Sequence, residues 1–547
     1  MDASNRDVVS PQWSEWHSTE WRSVIIRVRR LQVRIAKATM ECNWRKVKQL
    51  QRLLTRSTSA KALAIKRVTE NRGSKTPGID GVVWSTPKAK MLALSNLSTR
   101  DYKAKPLRRI HIPKANGGKR PLGIPTMGDR AMQALYLLAL EPVSETTGDG
   151  NSYGFRPHRS TQDAMAQCCN ALSRQNSPQW ILEGDIKGCF DNISHEWLLN
   201  HVPLERPVLK QWLKAGFVEL RKLFPTDSGT PQGGIISPVL ANLALDGMEG
   251  MLKKHFPRRR KVNFIRYADD FVVTATDPET LETAKRLIRN FLAERGLELS
   301  EQKTKITHIN DGFDFLGWTF RKLKGKWRMT PSQKNQKRFY ANVRDVVRTH
   351  RASSQDVLIS KLIPVIRGWG MYHKHVSATR TFNQVDHKIW YLLWRWAQRR
   401  HPNKGRRWIK RRYWSRIKSR DWVFVSRGLE LFRLSRIRCN RHLKIRSDAN
   451  PYDPADEVYF ENRVKRNMIE QAKAKINRIW LAQKGKCPIC QELITQQTTW
   501  DIHHKVWKSL GGGDEDANLV LLHMNCHKQV HARGCTTWPP AWLKGQA

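Results

Sequence analysis

Apolar positions change their spacing along the chain, and the changes mark out its parts. Between residues 21 and 48, Val24, Ile25, Val28, Leu31, Val33 and Ile35 recur among many Arg and Lys, which predicts basic helices over residues 1–80. Turn formers break this pattern at 74–81, where Pro77, Gly78 and Gly81 cluster. Residues 80–330 then alternate strand-like and helical stretches, as an α+β domain does. From about 335 to 445 the pattern predicts helices that are basic and rich in Trp. Within it, 361–373 reads as an apolar helix followed by a small-residue turn and aromatics. Two prolines and several acids at 447–457 predict a linker, and 458–547 forms a last module.

One hairpin stands out. Residues 262–266 and 271–273 are apolar, β-branched and aromatic runs that meet at Tyr267-Ala268-Asp269-Asp270. Two adjacent ionised carboxylates repel unless a cation lies between them, and hard divalent cations take such oxygen ligands. Asp185, ending the apolar run that starts at Ile181, supplies a third carboxylate. Between the acidic segments, Gly229, Gly233 and Gly234 would let backbone come close to a ligand. Residues 112–125, with Lys114, Lys119 and Arg120, form a basic turn between extended segments that could set cations on a triphosphate. Each loop, taken alone, could also be an ordinary tight turn.

Composition narrows the partner. The 547 residues exceed a single core, so several domains are expected. The net charge is +50, from 98 Lys and Arg against 48 Asp and Glu, which points to a polyanion with a large footprint. Residues 395–420 hold twelve Lys or Arg and no acid, interleaved with Trp396, Trp408, Tyr413 and Trp414. That mixture suits phosphate contact and base stacking, and RNA is the expected ligand. No segment has the pattern of a signal peptide or the length of a membrane span, and the nine cysteines show no disulfide framework. A reduced compartment is expected: bacterial cytoplasm, in association with the nucleoid.

In the order in which they occur, these segments resemble those of reverse transcriptases, specifically the group II intron-encoded proteins. The segment Tyr153-Gly154-Phe155-Arg156-Pro157 with Ser160, Asp163 and Ala164 resembles their second block, and Phe313-Asp314-Phe315-Leu316-Gly317-Trp318 resembles the segment that grips the primer. The resemblance spans roughly 75–445. It implies a right-hand polymerase with fingers and palm at 81–334 and a helical thumb, or maturase segment, at 335–446. It further implies that Asp185 and Asp269 bind two Mg²⁺ ions with Asp270 in support, and that Phe190 crowds the 2′-hydroxyl of a ribonucleotide. Lys114 and Arg120 would contact the deoxynucleoside triphosphate, Gln232 and Gly233 would line the nucleotide path, and Lys303 would protonate the leaving pyrophosphate. A solvated lysine is the plainer alternative for Lys303.

The last module carries Cys/His chemistry. Cys487 and Cys490 form a knuckle, and His523 and Cys526 lie three apart, so adjacent helical turns could complete a tetrahedral zinc site. With His503-His504, a run of three glycines and Asn518, the module resembles an HNH endonuclease of the ββα-metal type. The resemblance implies His504 as general base and His503, His527 and His531 as ligands of a catalytic divalent metal, expected to be Mg²⁺. Asn518 would orient the base or brace the loop. His523 stands where this family often has a fourth cysteine. A zinc finger that binds DNA without cutting is the alternative, against which the His503-His504 doublet argues. The whole chain is then expected to be an α+β multidomain protein acting on group II intron RNA and target DNA. As monomer or dimer on the RNA it would assist splicing, nick DNA and prime cDNA synthesis at the nick. A splicing cofactor with lapsed catalysis is the rival from outside the enzymes.

Overall fold

The computed structural model describes residues 16–71, 73–113, 118–471, 474–495, 498–533 and 538–540. Lys114 lies outside these residues.

The basic N-terminal pattern forms the helices Trp21–Met40, Trp44–Arg56 and Thr58–Glu70. Their apolar faces pack around the helix Met127–Thr147, whose residues are buried nearly throughout. Pro142 inside that helix has no N–H to offer the Leu138 carbonyl four residues earlier. Gln32 from Trp21–Met40 donates to that carbonyl at 2.9 Å. Neighbouring Ala139 O accepts from Gln51 of Trp44–Arg56 at 3.2 Å. The carbonyl left free by the proline thus becomes a tertiary contact, with a second beside it.

Two four-stranded sheets position the chemistry. The central sheet is antiparallel, in the order Asn263–Tyr267, Asp270–Ala275, Trp180–Asp185, Lys305–His308. The second joins Lys119–Ile124, Leu107–Pro113, Phe217–Glu219 and Lys222–Phe224; the two strands that flank the expected basic turn pair antiparallel, and residues 114–117 between them lie outside the described residues. After the central sheet, Phe313–Phe315, Trp318–Leu323 and Lys326–Pro331 make a three-stranded meander. Trp318 stacks flat on Tyr372, ring centroids 4.6 Å apart, and the Tyr372 hydroxyl donates to Leu316 O. The meander is thereby fixed to the helical region that follows.

That region departs from expectation in three ways. Helices Gln333–Thr349, Gln355–His373, Thr379–Arg400 and Arg406–Tyr413 form as the pattern predicts, but 361–373 contains no turn: the helix runs through Gly368 and Gly370 to His373. Gly370 serves packing instead, because a Cβ there would sit 2.3 Å from Ile437 Cδ1. Next, the helices stop at Tyr413, and Trp414–Ile417, Arg420–Ser426 and Leu429–Glu430 form a three-stranded sheet. Its β-branched and aromatic alternation was masked by the surrounding Arg and Lys. Finally, Trp396, Tyr413 and Trp414, expected as stacking surfaces, are core residues; of that set Trp408 alone is exposed.

Residues 447–457 are no free linker either. Asn450, Tyr452 and Asp456 are buried, Asn450 Nδ2 donates to Thr146 Oγ1, and the Tyr452 hydroxyl bonds Glu141. Nearby, Asp163 caps the helix Thr161–Leu172 and also accepts from His442, Arg463 and the backbone N–H of Ile445. Burial alone would raise the Asp163 carboxyl, but His442 and Arg463 outweigh it and hold it down at about 2. One carboxylate therefore joins three distant parts of the chain.

The last module follows the helix Glu457–Gln471. It pairs Trp500–His504 with Leu519–His523 and continues into the helix Met524–Ala532, a ββα unit. It rests on the N-terminal helices: Trp16 Nε1 donates to Asn525 Oδ1 at 3.3 Å, and Gln529 donates to His17 O and Thr19 O. No helix among the described residues is long and apolar enough to cross a membrane.

Candidate functional site

The hairpin at 267–270 is as tight as its sequence suggests. Tyr267 pairs with Asp270 across a two-residue loop, and Ala268 takes φ +59°. A positive φ at this position matches the right-handed twist of the flanking strands, although it strains a residue with a side chain. Three contacts hold the loop. Arg266, with no exposed surface, donates from Nη2 to Asp246 at 2.5 Å and from Nη1 to Asn242 at 3.1 Å and to Ala268 O at 3.4 Å. Asn242 in turn donates to Gly154 O at 2.9 Å. Gly154 lies directly against the loop, where a Cβ would be 2.3 Å from Ala268 N.

Strand register sets Asp185 opposite Asp270, and Gly184 next to it makes room for the Phe271 ring. The loop after residue 298 returns to this edge: Ser300 N donates to Asp185 O at 2.8 Å, and Lys303 Nζ reaches Asp185 Oδ2 at 2.5 Å. Desolvation, then the Asp269 and Asp185 charges, pushes the Asp270 carboxyl up to about 7, although this residue keeps an exposed edge. Desolvation and then Asp185 also raise Asp269. Carboxylates so raised gain from any cation that joins them, which is the chemistry of a divalent-metal donor set.

Asp185, Asp269 and Lys303 share the wall of a 510 Å³ cavity with Arg120, Phe190, Gln232 and Gly233. The loop at 229–234 builds the opposite side. Thr230 N donates to Phe190 O, and Gly123 N donates to Gln232 O at 2.7 Å. Gly233, at φ +113°, could not carry a Cβ, which would fall 2.6 Å from Gly123 O. Asp191 accepts from Gln232 Nε2 at 3.0 Å on both carboxylate oxygens, and Phe155 meets Phe190 edge-on at 6.0 Å. Asp191 and Arg266 were not foreseen; a lone Asp after Phe190 and an Arg before the tyrosine give no pattern. Phe155 was visible only as part of its block.

In the ββα unit, two groups of side chains place one ligand atom each within 4.8 Å of one another: Cys487, Cys490, His523 and Cys526, all buried, and His503, His527 and His531. The three aspartates are not among such groups, so their gathering rests on strand register and the shared cavity. Burial raises the Cys487 thiol, but hydrogen bonds from Cys490, Cys526 and His523 outweigh it and hold it well below its usual value. Three cysteine sulfurs and an imidazole gathered this closely are a donor set suited to zinc. Burial, then the neighbouring His527 and His531, lowers His503 to about 4, leaving a neutral imidazole with a lone pair to offer. His504 is not part of this trio and bonds Asp514 at 2.8 Å. Asn518 holds the loop and not the base: it donates to Val506 O and Gly513 O and accepts from Val506 N. Asp514, which was not foreseen, is what orients His504.

Comparison with known proteins agrees with this geometry. The family model for reverse transcriptase (RNA-dependent DNA polymerase) matches residues 112–320, and that for the N-terminal domain of reverse transcriptase matches 16–97. The group II intron maturase-specific domain matches 336–414, and the HNH endonuclease model matches 487–533. Protein YkfC of Escherichia coli is 32% identical over 49% of this chain and 82% of its own. The group II intron-encoded protein LtrA of Lactococcus lactis is 32% identical over 47% of this chain. A putative COX1/OXI3 intron 1 protein of Saccharomyces cerevisiae is 27% identical over 45% of it. The chain spans about half the length of LtrA, 54%, and 36% of the yeast protein. With reverse-transcriptase, maturase and HNH segments following one another on a single chain, this protein belongs to the group II intron-encoded reverse transcriptase–maturase family.

Proposed function

We propose that the protein binds a group II intron RNA, assists its splicing, nicks target DNA with the HNH unit and copies the RNA from the new 3′ end. The observation that carries the polymerase part is the single cavity that brings together Asp185, Asp269, Lys303, Arg120, Phe190 and Gln232 from separate segments. In this reading the two four-stranded sheets are fingers and palm, and the helices from residue 333 are the thumb. Asp185 and Asp269 hold two Mg²⁺ ions with Asp270 in support. Bound there, the ions would lower the pKa of a primer 3′-hydroxyl and stabilise the leaving pyrophosphate. Lys303 is the proton donor to that pyrophosphate, Arg120 and Lys114 bind the triphosphate, and Gln232 and Gly233 line the nucleotide path. Phe190, braced by Phe155, excludes a 2′-hydroxyl.

In the ββα unit, Cys487, Cys490, His523 and Cys526 would hold a structural Zn²⁺ ion. His503, His527 and His531 are the ligands of a catalytic divalent ion, and His504, oriented by Asp514, takes the proton from the attacking water. Asn518 shapes the loop that carries Asp514. Salt-sensitive contacts from the +50 chain to RNA phosphates would supply most of the affinity. The test incubates the protein with intron RNA, target duplex, Mg²⁺ and deoxynucleotides and follows both DNA strands. A nick with cDNA growing from it supports the reading. Primer extension without nicking would demote the ββα unit to a DNA-binding finger, and RNA binding alone would leave a splicing cofactor.

A further inference from the structure

A second cavity, of 320 Å³, lies between the helix Thr379–Arg400 and the sheet of residues 414–430, away from the polymerase site. Its size falls at the low end of the roughly 300–1,000 Å³ typical of small-ligand pockets. Trp390, Trp414, Trp422 and Phe432 form its walls. Two features set it apart from an imperfect core. Trp414 is 3% exposed, and its buried indole N–H has no hydrogen-bond partner, although Asn383, Asp386 and His387 also line the pocket. Trp422 takes φ +59°, a conformation that strains a bulky residue and tends to persist where a ligand is clamped. The strand that carries Trp422 takes three steps, 420–423, against two on Ser415–Ile417 opposite, and this bulge sets the direction of its ring, as bulges commonly do.

Trp422 remains 38% exposed at the mouth, meets Trp390 edge-on at 5.5 Å and carries Lys410 Nζ 4.5 Å from its ring centroid. Beside it, Asp421 supplies an exposed carboxylate. The mouth opens among the cations of residues 395–420, which draw a polyanion and no apolar peptide.

We propose that this cavity receives one unpaired nucleobase of bound RNA, stacked by Trp422 and Trp390. The Trp414 N–H would donate to a base acceptor and Asp421 would accept from a base N–H. The proposal deepens the RNA-binding reading above and rests on it. Base–aromatic stacking of this kind changes affinity by about 5–150-fold.

The test uses the full chain and a mixed-sequence single-stranded RNA substituted with 4-thiouridine. Photo-adducts mapped by mass spectrometry are expected on Trp390, Trp414 or Trp422. Trp422→Leu should weaken RNA binding at least 5-fold with an unchanged salt slope, while Trp422→Tyr, which keeps a stacking face, restores it. Melting curves confirm that both variants fold. Adducts confined to other segments, or Trp422→Leu binding like the unaltered protein, would overturn the nucleobase site while leaving RNA binding intact. No retention of RNA by the unaltered chain would overturn both.

Discussion

Gly154 gives the sharpest test of how the polymerase site is held. Its Cβ position lies 2.3 Å from Ala268 N and 3.0 Å from the Ala268 Cα and the Tyr267 carbonyl carbon. Ordinary contact begins at 3.4 Å, so in Gly154→Ala the hairpin loop must withdraw by about 1 Å. The obstruction is backbone, which no rotamer change relieves, and Arg266, itself held by Asp246 and Asn242, donates to Ala268 O and ties that backbone down. Asp269 is the next residue and moves with the loop. A displacement of about 1 Å at a reacting centre costs roughly 10²-fold in rate. Overpacking adds about 1–3 kcal/mol of destabilisation. The assay is single-turnover extension of a DNA primer on an RNA template, alongside RNA binding and thermal melting. The expected result is extension reduced about 100-fold with RNA affinity unchanged. Extension within threefold of the unaltered enzyme, in a folded variant, would refute the claim that this glycine positions the carboxylates.

Other expectations follow from the same geometry. Gly184→Ala, whose Cβ would fall 2.2 Å from the Phe271 ring, should impair folding and extension, and Phe271→Leu in the same chain should recover part of both. Asp269→Ala should bring extension to background with RNA binding retained, as measured by filter binding. His504→Ala should abolish nicking and leave extension of a supplied primer intact; loss of both would argue against separate sites. Asp163→Asn should destabilise the chain by roughly 2 kcal/mol at neutral pH, the worth of lowering its carboxyl to about 2. Because the folded value lies below the unfolded one, that stability is present above about pH 4 and lost as pH falls towards 2. The gap between variant and unaltered chain in protease resistance should therefore close over that range. Metal analysis should find one zinc ion per chain, absent from Cys490→Ala.

The parts of this architecture that could be read in advance are those whose cause is local. The 267–270 hairpin announces itself because strand alternation and turn chemistry are set by neighbouring residues. The cysteine and histidine spacings of the ββα unit do so because metal geometry is imposed within a few turns. What could not be read depends on residues brought together from afar. Nothing near Arg266 reveals Asp246 or Asn242 as its partners, and nothing near Gly154 reveals that Ala268 will press on it. In the segment 395–430, abundant Arg and Lys carry long aliphatic stems that cover apolar surface, so charge hid both the strands and the inward turn of Trp396 and Trp414.

The contact between Trp16 and Asn525 joins positions 509 apart, and Gln529 reaches the carbonyls of His17 and Thr19. On a ribosome the receiving face of the first helices is thus completed long before its occupant exists. Trp16, buried in the finished protein, must wait for Asn525 through the synthesis of the whole polymerase region. The nuclease is fitted last, onto a body already folded, since domains generally fold in the order in which they emerge. Translation thereby schedules the two activities: the cutting unit reaches its docked position only after the copying unit has been made.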